Sequence, residues 1–537
     1  MVIKLFSSGD GGGVQHILVL LVLFVAFGIV VAKWVVEIWW KPKCIKQAFE
    51  AQGITGPSYK LLVGNLLDIK KIMSSTMASA TDRTLSHKIG QRVDSHFLLW
   101  SKVFGDPFLF WWGTEPRLAI TKSDWMKEVL LNKGGQYEKI ALSVRCVTKD
   151  IFGDGLAVAD GEKWFELRRL FTPFFYVGKI KAMKGVMETS ILQLMDDWHE
   201  QVERARTSIV EVDVHKELQK LTAEIISRTV FGSSHREGRR IFELQRIQQR
   251  LTMEALVSFK LPGYRYLPTA SNRLKQKLKK EVHNTLSRIM KNRLESAQHE
   301  TGPDKFGDDL LGHMLSANDA MSQYGSKKPS FKLSTEDIID QCKMFFFAGH
   351  ETTSLLLTWA LMLLASNPDW QQRLQAEVDQ VCQNEIPDEE ALGQLKYMGM
   401  VLQETLRLYP PSPHLSRVAI KDTKLGNLRI PKGTTVTYNG ILANRSEAMW
   451  GKDADEFRPE RFGDADKHIP KAFWPFSLGP RYCIGQGFAM QEAKLALAMV
   501  LQRFRWALSP AYRHSPTLIL TLHPQHGMPL LLQRRVP

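Results

Sequence analysis

Hydrophobic residues form one unbroken block near the N-terminus and then recur in amphipathic patterns. The block runs from Ile17 to Ala32 and continues into a tryptophan-rich stretch. Counted from Val14, it approaches the ~20 residues that cross a bilayer. Tryptophan suits a membrane interface, and more positive charge follows the block than precedes it. We therefore predict one transmembrane helix, within a membrane anchor over residues 1–40, and a large cytosolic domain over residues 41–537.

A cleaved signal peptide is the alternative for the same block. Cleavage needs small residues directly after the apolar run. Lys33 and Trp34 occupy that place. The pattern therefore favours a retained anchor.

Patterning in the large domain predicts mostly helices with a small β region. Phe108–Trp112 and Leu118–Ile120 indicate a β-hairpin, and helical periodicity dominates from about residue 160 to residue 300. The polar segment Thr301–Ser330 is typical of a surface loop region. Near the C-terminus, Leu518–Leu522 and Met528–Leu532 are expected to pair as a final hairpin.

A long helix is predicted between two clear boundary signals. Ser334, followed three residues later by Asp337, forms a variant of the capping box that opens a helix. The helix has to end before Asn367 and Pro368, because the residue preceding proline avoids helical backbone angles. At 1.5 Å per residue this helix is ~48 Å long and can cross the whole domain.

Composition and cysteine usage are those of a globular protein in a reducing compartment. The 537 residues are 44% hydrophobic and 24% charged, which allows a large core. The five cysteines are odd in number and scattered. This spacing argues against a disulfide framework or a zinc site.

The net charge of +15 is high. No nucleic-acid recognition motif accompanies it, so we expect no nucleic-acid partner. Part of the excess lies in lysines and arginines over residues 275–293, which are interleaved with leucines as on the solvated face of an amphipathic helix. A basic docking surface for an acidic partner or an anionic membrane stays open.

The most informative motif is the loop Phe476–Gly485, which contains Cys483. Glycines stand four residues before and two residues after the thiol, and they allow the backbone to approach a flat group closely. Arg481 adds a positive charge beside it. A cysteine thiolate is a strong axial ligand for haem iron, whereas a buried structural cysteine in an ordinary turn is the alternative.

Polar residues interrupt the apolar long helix in the run Ala348–Thr353. One interpretation is a notch where a small ligand lies against the helix, with Thr352 and Glu351 handling its protons. In the other, Thr352 bonds back to a helix carbonyl and Glu351 reaches solvent.

Two further pairs carry charge at helical spacing. Glu404 and Arg407 share a helix face and can pair, either on the surface or in a buried network with a second arginine. Trp164 and Arg168 lie one helical turn apart, and both are pure donors suited to a carboxylate such as a haem propionate.

In this order the motifs resemble the cytochrome P-450 haem-thiolate monooxygenases, over nearly the whole chain after the anchor. The resemblance implies a mainly α fold with a small β region, and haem b held between the long helix and the Cys loop. Cys483 is then the thiolate ligand of the haem iron. Thr352 delivers protons for oxygen activation, Glu351 is its acidic neighbour, and Gly349 leaves room for the oxygen.

The resemblance also assigns supporting roles. Several residues match positions that bind the cofactor, and four of them contact the propionates: Trp164, Arg168, Arg417 and Arg481. Phe476 and Gly485 belong to the haem-binding loop. Glu404, Arg407 and Arg461 match a structural triad that serves folding and haem retention.

Three sequence runs resemble a group that is narrower than the whole family. Gln52–Pro57, Phe345–Thr353 and Arg513–Pro516 resemble a plant clan that includes cytokinin, brassinosteroid, gibberellin, triterpenoid and fatty-acid hydroxylases. His414 departs from the pattern, because the family usually lines its pocket there with apolar side chains. It either orients a polar substrate group or points at solvent.

The resemblance implies an endoplasmic-reticulum monooxygenase that hydroxylates an apolar small molecule. The chain has no flavin or dinucleotide fingerprint, so NADPH is expected to supply electrons through a separate flavoprotein reductase. One alternative on the same fold is an oxygen-independent peroxide isomerase or dehydratase. Another is a non-catalytic haem-binding or ligand-binding membrane protein.

Overall fold

The structure is a computed structural model, and it describes most of the chain. The residues outside the description are 1–10, 80–84, 140–147, 150, 206–207, 233–234, 257–266, 300–301, 303–304, 324–330, 464–472 and 536–537. Cys146 is among them, whereas the other four cysteines are described and are free.

The N-terminal block is helical and stands apart from the core. Helix α1 covers Gly11–Val35, a π-helical turn covers Val36–Trp40, and α2 covers Lys41–Glu50. The stretch Leu18–Glu50 includes a window long and apolar enough to cross a membrane, and none of that window is buried. The predicted transmembrane helix therefore has a matching element.

Most of the remaining chain is helical. The helices after α2 are α3 Leu66–Ser79, α4 Gly90–Val93, α5 Ser95–Phe104, α6 Ser123–Leu131, α7 Gly161–Phe171, α8 Val177–Ala182, α9 Lys184–Arg204, α10 Val214–Phe231, α11 His235–Leu256, α12 Ala270–Ala297, α13 Leu310–Gln323, α14 Thr335–Ser366, α15 Pro368–Cys382, α16 Glu389–Gln394, α17 Lys396–Leu408, α18 Gly440–Ala443, α19 Glu447–Trp450 and α20 Gln486–Arg503. Short 3₁₀ turns cover Thr172–Phe175, Pro459–Phe462 and Gly479–Arg481.

The strands form small sheets at the edge of the helical body. They are β1 Phe108–Trp112, β2 Glu115–Ile120, β3 Tyr137–Glu138, β4 Ile209–Asp213, β5 His414–Ala419, β6 Thr423–Leu425, β7 Leu428–Ile430, β8 Thr435–Asn439, β9 Phe504–Leu508, β10 Pro516–Ile519, β11 Thr521–Pro524 and β12 Pro529–Arg534. The largest sheet has the order β1-β2-β8-β5-β3. A three-stranded sheet has the order β4-β12-β9, while β6 pairs with β7 and β10 with β11.

The hairpin and the long helix predicted from the sequence are confirmed. β1 pairs antiparallel with β2. α14 begins after Ser334, whose hydroxyl accepts from the Asp337 backbone while the Asp337 carboxylate accepts from the Ser334 backbone. It ends at Ser366, before Asn367, as the following proline requires.

The predicted C-terminal hairpin is wrong. β10 and β11 pair with each other through a tight turn at Leu520, whose φ is 66°. β12 instead lies between β4 and β9. Its partner β4 is more than 300 residues earlier in the chain, and local periodicity carries no information about such a pairing.

The polar segment Thr301–Ser330 was expected to be a loop, and this is wrong for its middle part. α13 covers Leu310–Gln323, and Leu310, Leu311 and Met314 are buried. Met314 lies four residues after Leu310 and three after Leu311, so the three side chains share one helix face. A short apolar stripe therefore suffices for a helix within a segment of polar composition.

The long helix α14 lies at the centre of the core. α10 packs along it closely enough that a Cβ on Gly349 would lie 2.5 Å from Ile226 Cδ1. Leu355, Trp359 and Leu363 are fully buried. The helix is thus fixed from several sides, which makes it a rigid support for a site.

Candidate active site

The Cys loop, Phe476–Gly485, contains the 3₁₀ turn Gly479–Arg481 and leads directly into helix α20. The Cys483 backbone N–H donates to the Phe476 carbonyl at 2.8 Å, which closes the loop. The thiol is open on one side. The surrounding chain still removes enough water to raise its pKa, against the Gly485 backbone N–H and the charges of Arg168 and Lys139, which lower it. Coordination to a metal ion deprotonates such a thiol outright.

The two glycines of the loop differ in what requires them. Gly479 has a φ of +76°, and a Cβ there would lie 2.3 Å from the Leu130 carbonyl oxygen. Only glycine fits without moving the backbone of α6. A Cβ on Gly485 would meet no heavy atom within 4 Å, so its side of the loop is open.

Cationic side chains from separate elements surround the loop. Arg481 donates to the Ala159 carbonyl at 2.8 Å, pairs with Asp160 and lies 4.5 Å above the Trp164 ring. Arg168, from the same helix as Trp164, donates to the Tyr482 carbonyl at 2.9 Å.

Arg417 enters the same region from β5. It is 2% exposed, and burial next to Arg481 lowers its pKa to about 10. Among the described residues, one guanidinium nitrogen of Arg417 and one of Arg168 have no hydrogen-bond partner. Buried, unpaired N–H groups of cations are costly, so these atoms are suited to an anion.

Lys139 is a member of this cationic group that the sequence did not reveal. Burial, together with the charges of Arg417 and Arg481, lowers its pKa to about 7. Its backbone N–H donates to Asp160, the carboxylate that also holds Arg481. A single lysine in a loop gives no local signal, because the cluster forms only when β3, α7 and β5 meet.

These residues fit a haem. A haem carries two carboxylates, and the cluster offers unpaired donors and excess positive charge to receive them. The open thiol beside the cluster offers an axial ligand. Trp164, Arg168, Arg417, Arg481 and Cys483, all predicted at the cofactor site, therefore come together.

The long helix has one opening along its buried length. From Gln341 to Leu364, the only residues not buried are Ala348, Gly349 and Thr352. Ala348 and Thr352 are one turn apart and share a face. The Thr352 hydroxyl donates to the Ala348 carbonyl at 2.7 Å, as one interpretation of the sequence expected.

Glu351 does not reach solvent. It is 2% exposed, and its Oε1 lies 3.1 Å from His523 Nε2 and accepts from the Thr521 hydroxyl at 3.2 Å. Burial raises its pKa, but the hydrogen bond from His350 and the nearby histidines outweigh burial and lower the pKa to about 2. A buried carboxylate held this way is ionised at neutral pH.

Glu404 and Arg407 form a separate, fully buried network rather than a surface pair. Arg407 donates from Nε and Nη2 to the two Glu404 oxygens at 2.6 and 2.7 Å. It also donates to three backbone carbonyls, of Asn444, Ala454 and Glu456. Arg461 lies farther from Glu404, at 3.7 Å.

Arg461 is held mainly by other partners. It pairs with the Asp453 carboxylate at 2.7 Å and donates to the Trp450 carbonyl at 2.8 Å. The second arginine therefore links the Glu404 network to the segment before the 3₁₀ turn Pro459–Phe462.

His414 is paired with a carboxylate and is partly exposed, with 30% of its side chain accessible. Its Nε2 lies 3.0 Å from Asp94 Oδ2, and its ring is 5.7 Å from the Phe97 ring. Asp94 is 1% exposed. The histidine thus partners a buried carboxylate at the start of α5.

An exposed thiol beside a cluster of cations with unpaired N–H groups, together with a long buried helix that has one opening, is the arrangement expected of haem-thiolate proteins. The cytochrome P450 family model matches residues 84–530. A cytokinin hydroxylase of Arabidopsis thaliana is 42% identical over 92% of this chain and 93% of its own length. Cytochrome P450 734A1 of the same plant is 38% identical over 96% of both chains.

A relative from another plant is similar to this chain to the same extent. Cytochrome P450 CYP72A616 of Paris polyphylla is 40% identical over 94% of this chain and 95% of its own length. The chain belongs to the cytochrome P450 family. It is an oxidoreductase, a monooxygenase that incorporates one atom of O2, and its family implies haem as cofactor.

Proposed function

We propose that this protein hydroxylates an apolar small molecule at an unactivated C–H bond, with electrons that come from NADPH through a flavoprotein reductase. The balanced reaction takes substrate, O2, NADPH and a proton to hydroxylated product, water and NADP⁺. The substrate class is a plant hormone, a terpenoid or steroid, or a fatty acid. The similarity to a cytokinin hydroxylase and other plant P450 proteins supports this range.

The observation that carries the proposal is the Cys483 loop with its cations. Bound haem with a thiolate ligand supplies the chemistry of O–O cleavage and oxygen insertion. Cys483 is the ligand, and Phe476 and Gly485 shape the loop around it. The haem propionates would be held by the cations Arg168, Arg417, Arg481 and Lys139, together with the neutral indole N–H of Trp164.

The long helix α14 supplies the groups that handle protons. Thr352 is half-buried at the opening and Glu351 precedes it in the helix, so a hydroxyl and an acid are available there. The missing side chain of Gly349 allows α10 to approach the long helix, because a Cβ there would lie 2.5 Å from Ile226 Cδ1. Glu404, Arg407 and Arg461 hold the fold and retain the haem without touching the reaction.

The anchor and the charge support a place in the cell. We propose that residues 1–40 anchor the protein in the endoplasmic reticulum membrane and that the domain over residues 41–537 faces the cytosol. The excess of lysine after the anchor supports this orientation. The net charge of +15 suits docking of an acidic reductase.

The first test is the difference spectrum of the reduced protein with carbon monoxide. We expect the strongly red-shifted Soret band of a thiolate–carbonyl complex. Turnover with NADPH and reductase is then compared with turnover on a lipid hydroperoxide alone. Activity only on the hydroperoxide would favour a peroxide isomerase, and a well-folded protein without haem would overturn the proposal.

A further inference from the structure

Glu351 lies in a buried cluster of histidines that come from three different elements. His350 is its neighbour in α14, His215 comes from the start of α10, and His523 comes from β11. Glu351 directly precedes Thr352, one of the residues at the opening of the helix. Sequence motifs single out His350 and Glu351 only, because the other two histidines lie more than 130 residues away.

His523 makes the closest histidine contact to the acid. Its Nε2 lies 3.1 Å from Glu351 Oε1, whereas His350 Nε2 lies 3.5 Å from Oε2. The Thr521 hydroxyl bridges the two groups, 3.2 Å from the same Glu351 oxygen and 2.7 Å from His523 Nε2. The hydroxyl therefore connects the acid to the imidazole through two hydrogen bonds, and the direct contact between Glu351 and His523 completes a triangle.

The β10–β11 hairpin holds His523 in this place. The Trp359 indole N–H of the long helix donates to the Leu522 carbonyl at 2.9 Å. The Leu522 N–H in turn donates to the Pro411 carbonyl at 3.1 Å. The residue next to His523 is therefore fixed to α14, so the imidazole is positioned by the same helix that carries the acid.

Exposure distinguishes His523 from the other histidines. Its side chain is 15% exposed, whereas those of His350 and Glu351 are 4% and 2% exposed. His215 is 8% exposed, and its Nδ1 faces the Thr358 hydroxyl at 3.3 Å. His350 is committed through Nδ1 to the Phe346 carbonyl at 2.7 Å. His523 thus joins the buried acid to the surface.

The protonation states suit an exchange between these two groups. Glu351 is ionised at rest, since its pKa is lowered to about 2. Burial lowers the pKa of His523, while the Glu351 charge and the Ile519 backbone raise it in part. The Glu351 carboxylate can therefore take a proton through the imidazole and later release it, without a large rearrangement of either side chain.

We propose that His523 is the positioning and relay residue that returns protons from solvent to Glu351 during monooxygenation. The inference rests on the proposed function. Each turnover consumes protons as one oxygen atom leaves as water. Because Glu351 is ionised at rest, the relay starts at solvent: His523 takes up a proton, becomes imidazolium and passes that proton to Glu351. Glu351 then gives the proton up toward the opening at Thr352, and both residues return to their resting states.

The test compares His523→Gln with His526→Gln. Glutamine keeps an N–H donor for Glu351 but does not exchange protons as imidazole does. His526 is exposed, lies three residues farther along the same segment and provides the matched control. For His523→Gln we expect product formation at least ~10-fold slower, since general acid–base groups contribute ~100-fold or more.

Two readouts separate a relay from a structural clamp. His523→Gln should show a larger solvent deuterium isotope effect and more NADPH oxidised per product, with an unchanged carbon monoxide spectrum. Thr521→Val removes the other hydrogen bond to the same Glu351 oxygen and keeps the imidazole. It should retain the wild-type isotope effect, and a Thr521→Val protein that matches His523→Gln would overturn the relay.

A double variant tests whether both residues serve one route. If they do, Glu351→Gln combined with His523→Gln should be no slower than the slower single variant. Fully multiplicative losses would overturn the relay. So would a His523→Gln protein with the rate, coupling and isotope effect of wild type.

An activity-independent measurement completes the design. Hydrogen exchange at the imidazole C2 position, followed by mass spectrometry, reports the pKa of a single histidine. Because the Glu351 charge raises the pKa of His523, Glu351→Gln should lower it and leave His526 unchanged. An unaltered His523 pKa would refute the contact, whereas a wild-type protein without NADPH-dependent turnover would refute the proposed function and the relay with it.

Discussion

Arg407→Lys is the sharpest test of how the buried network supports the fold. The substitution keeps the charge and most of the aliphatic length. It replaces a planar fork of five N–H donors by an ammonium with three. Arg407 uses its donors on the two Glu404 oxygens and on three backbone carbonyls.

The expected loss follows from this count. Three donors leave at least two of these five hydrogen bonds unmade. A hydrogen bond that involves a charged group contributes about 1.5–3 kcal/mol, so the variant should lose about 3–6 kcal/mol. With an unfolding entropy of about 2.1 cal/mol/K per residue over a chain of this length, the midpoint should fall by roughly 3–5 °C.

The assay follows the Soret band and helical circular dichroism of the haem-loaded protein during heating. Arg458→Lys is the matched control, because its side chain is half exposed and pairs with Asp453 at 2.8 Å. An exposed pair contributes well under ~1 kcal/mol. If Arg407→Lys unfolds and loses haem at the same temperature as Arg458→Lys, the donor-counting argument is refuted.

Three further predictions concern the cofactor site. Cys483→Ser should keep the fold, measured by circular dichroism, and lose the thiolate-type carbon monoxide band; a surviving band would exclude Cys483 as the ligand. Gly479→Ala should cost more than ~1–2 kcal/mol because it adds a clash with Leu130 to a left-handed backbone, whereas Gly178→Ala, with open space around it, should be tolerated in the same thermal assay. Lys139→Met should speed haem transfer to an acceptor protein. The pKa of Lys139 falls from 10.5 to about 7 on folding, so the unfolded haem-free chain binds the extra proton between these values and stability should rise with pH there; urea titrations of Lys139→Met should lack this rise.

The parts of the fold that the sequence predicts are those that local patterns determine. The capping pair at Ser334 and the proline after Asn367 define α14 within the chain itself. β12 is different, because its apolar residues fit any sheet edge of suitable shape. Only the assembled helices bring β4 and β9 to the same place.

The residues of the site also divide into those that a local motif reveals and those that only the fold reveals. The Cys483 loop is a contiguous motif, so its residue types and spacing can be recognised. Lys139 and His523 act only through neighbours from other elements, at distances set by tertiary packing. Their polar side chains in short segments look like ordinary loop residues until the elements meet.

Two buried carboxylates of the chain, Glu404 and Glu351, show how different partners give different properties. Glu404 is fully buried and held by a bidentate guanidinium, and the Arg458 backbone N–H also donates to it at 2.8 Å. Removal of one member of such a pair leaves a stranded charge and costs ~3–5 kcal/mol. This carboxylate is fixed in place by several donors, which suits a structural role.

Glu351 has no guanidinium among its described partners; imidazoles and one hydroxyl surround it. A well-packed apolar side chain would serve the stability of the core at least as well, because burial of a charge is costly. Imidazole can take and release protons near neutral pH, which a guanidinium cannot. These partners therefore allow Glu351 to gain and lose a proton, and one of them, His523, reaches the surface. An acid that must regain a proton in every turnover needs these two properties. A purely structural acid needs neither.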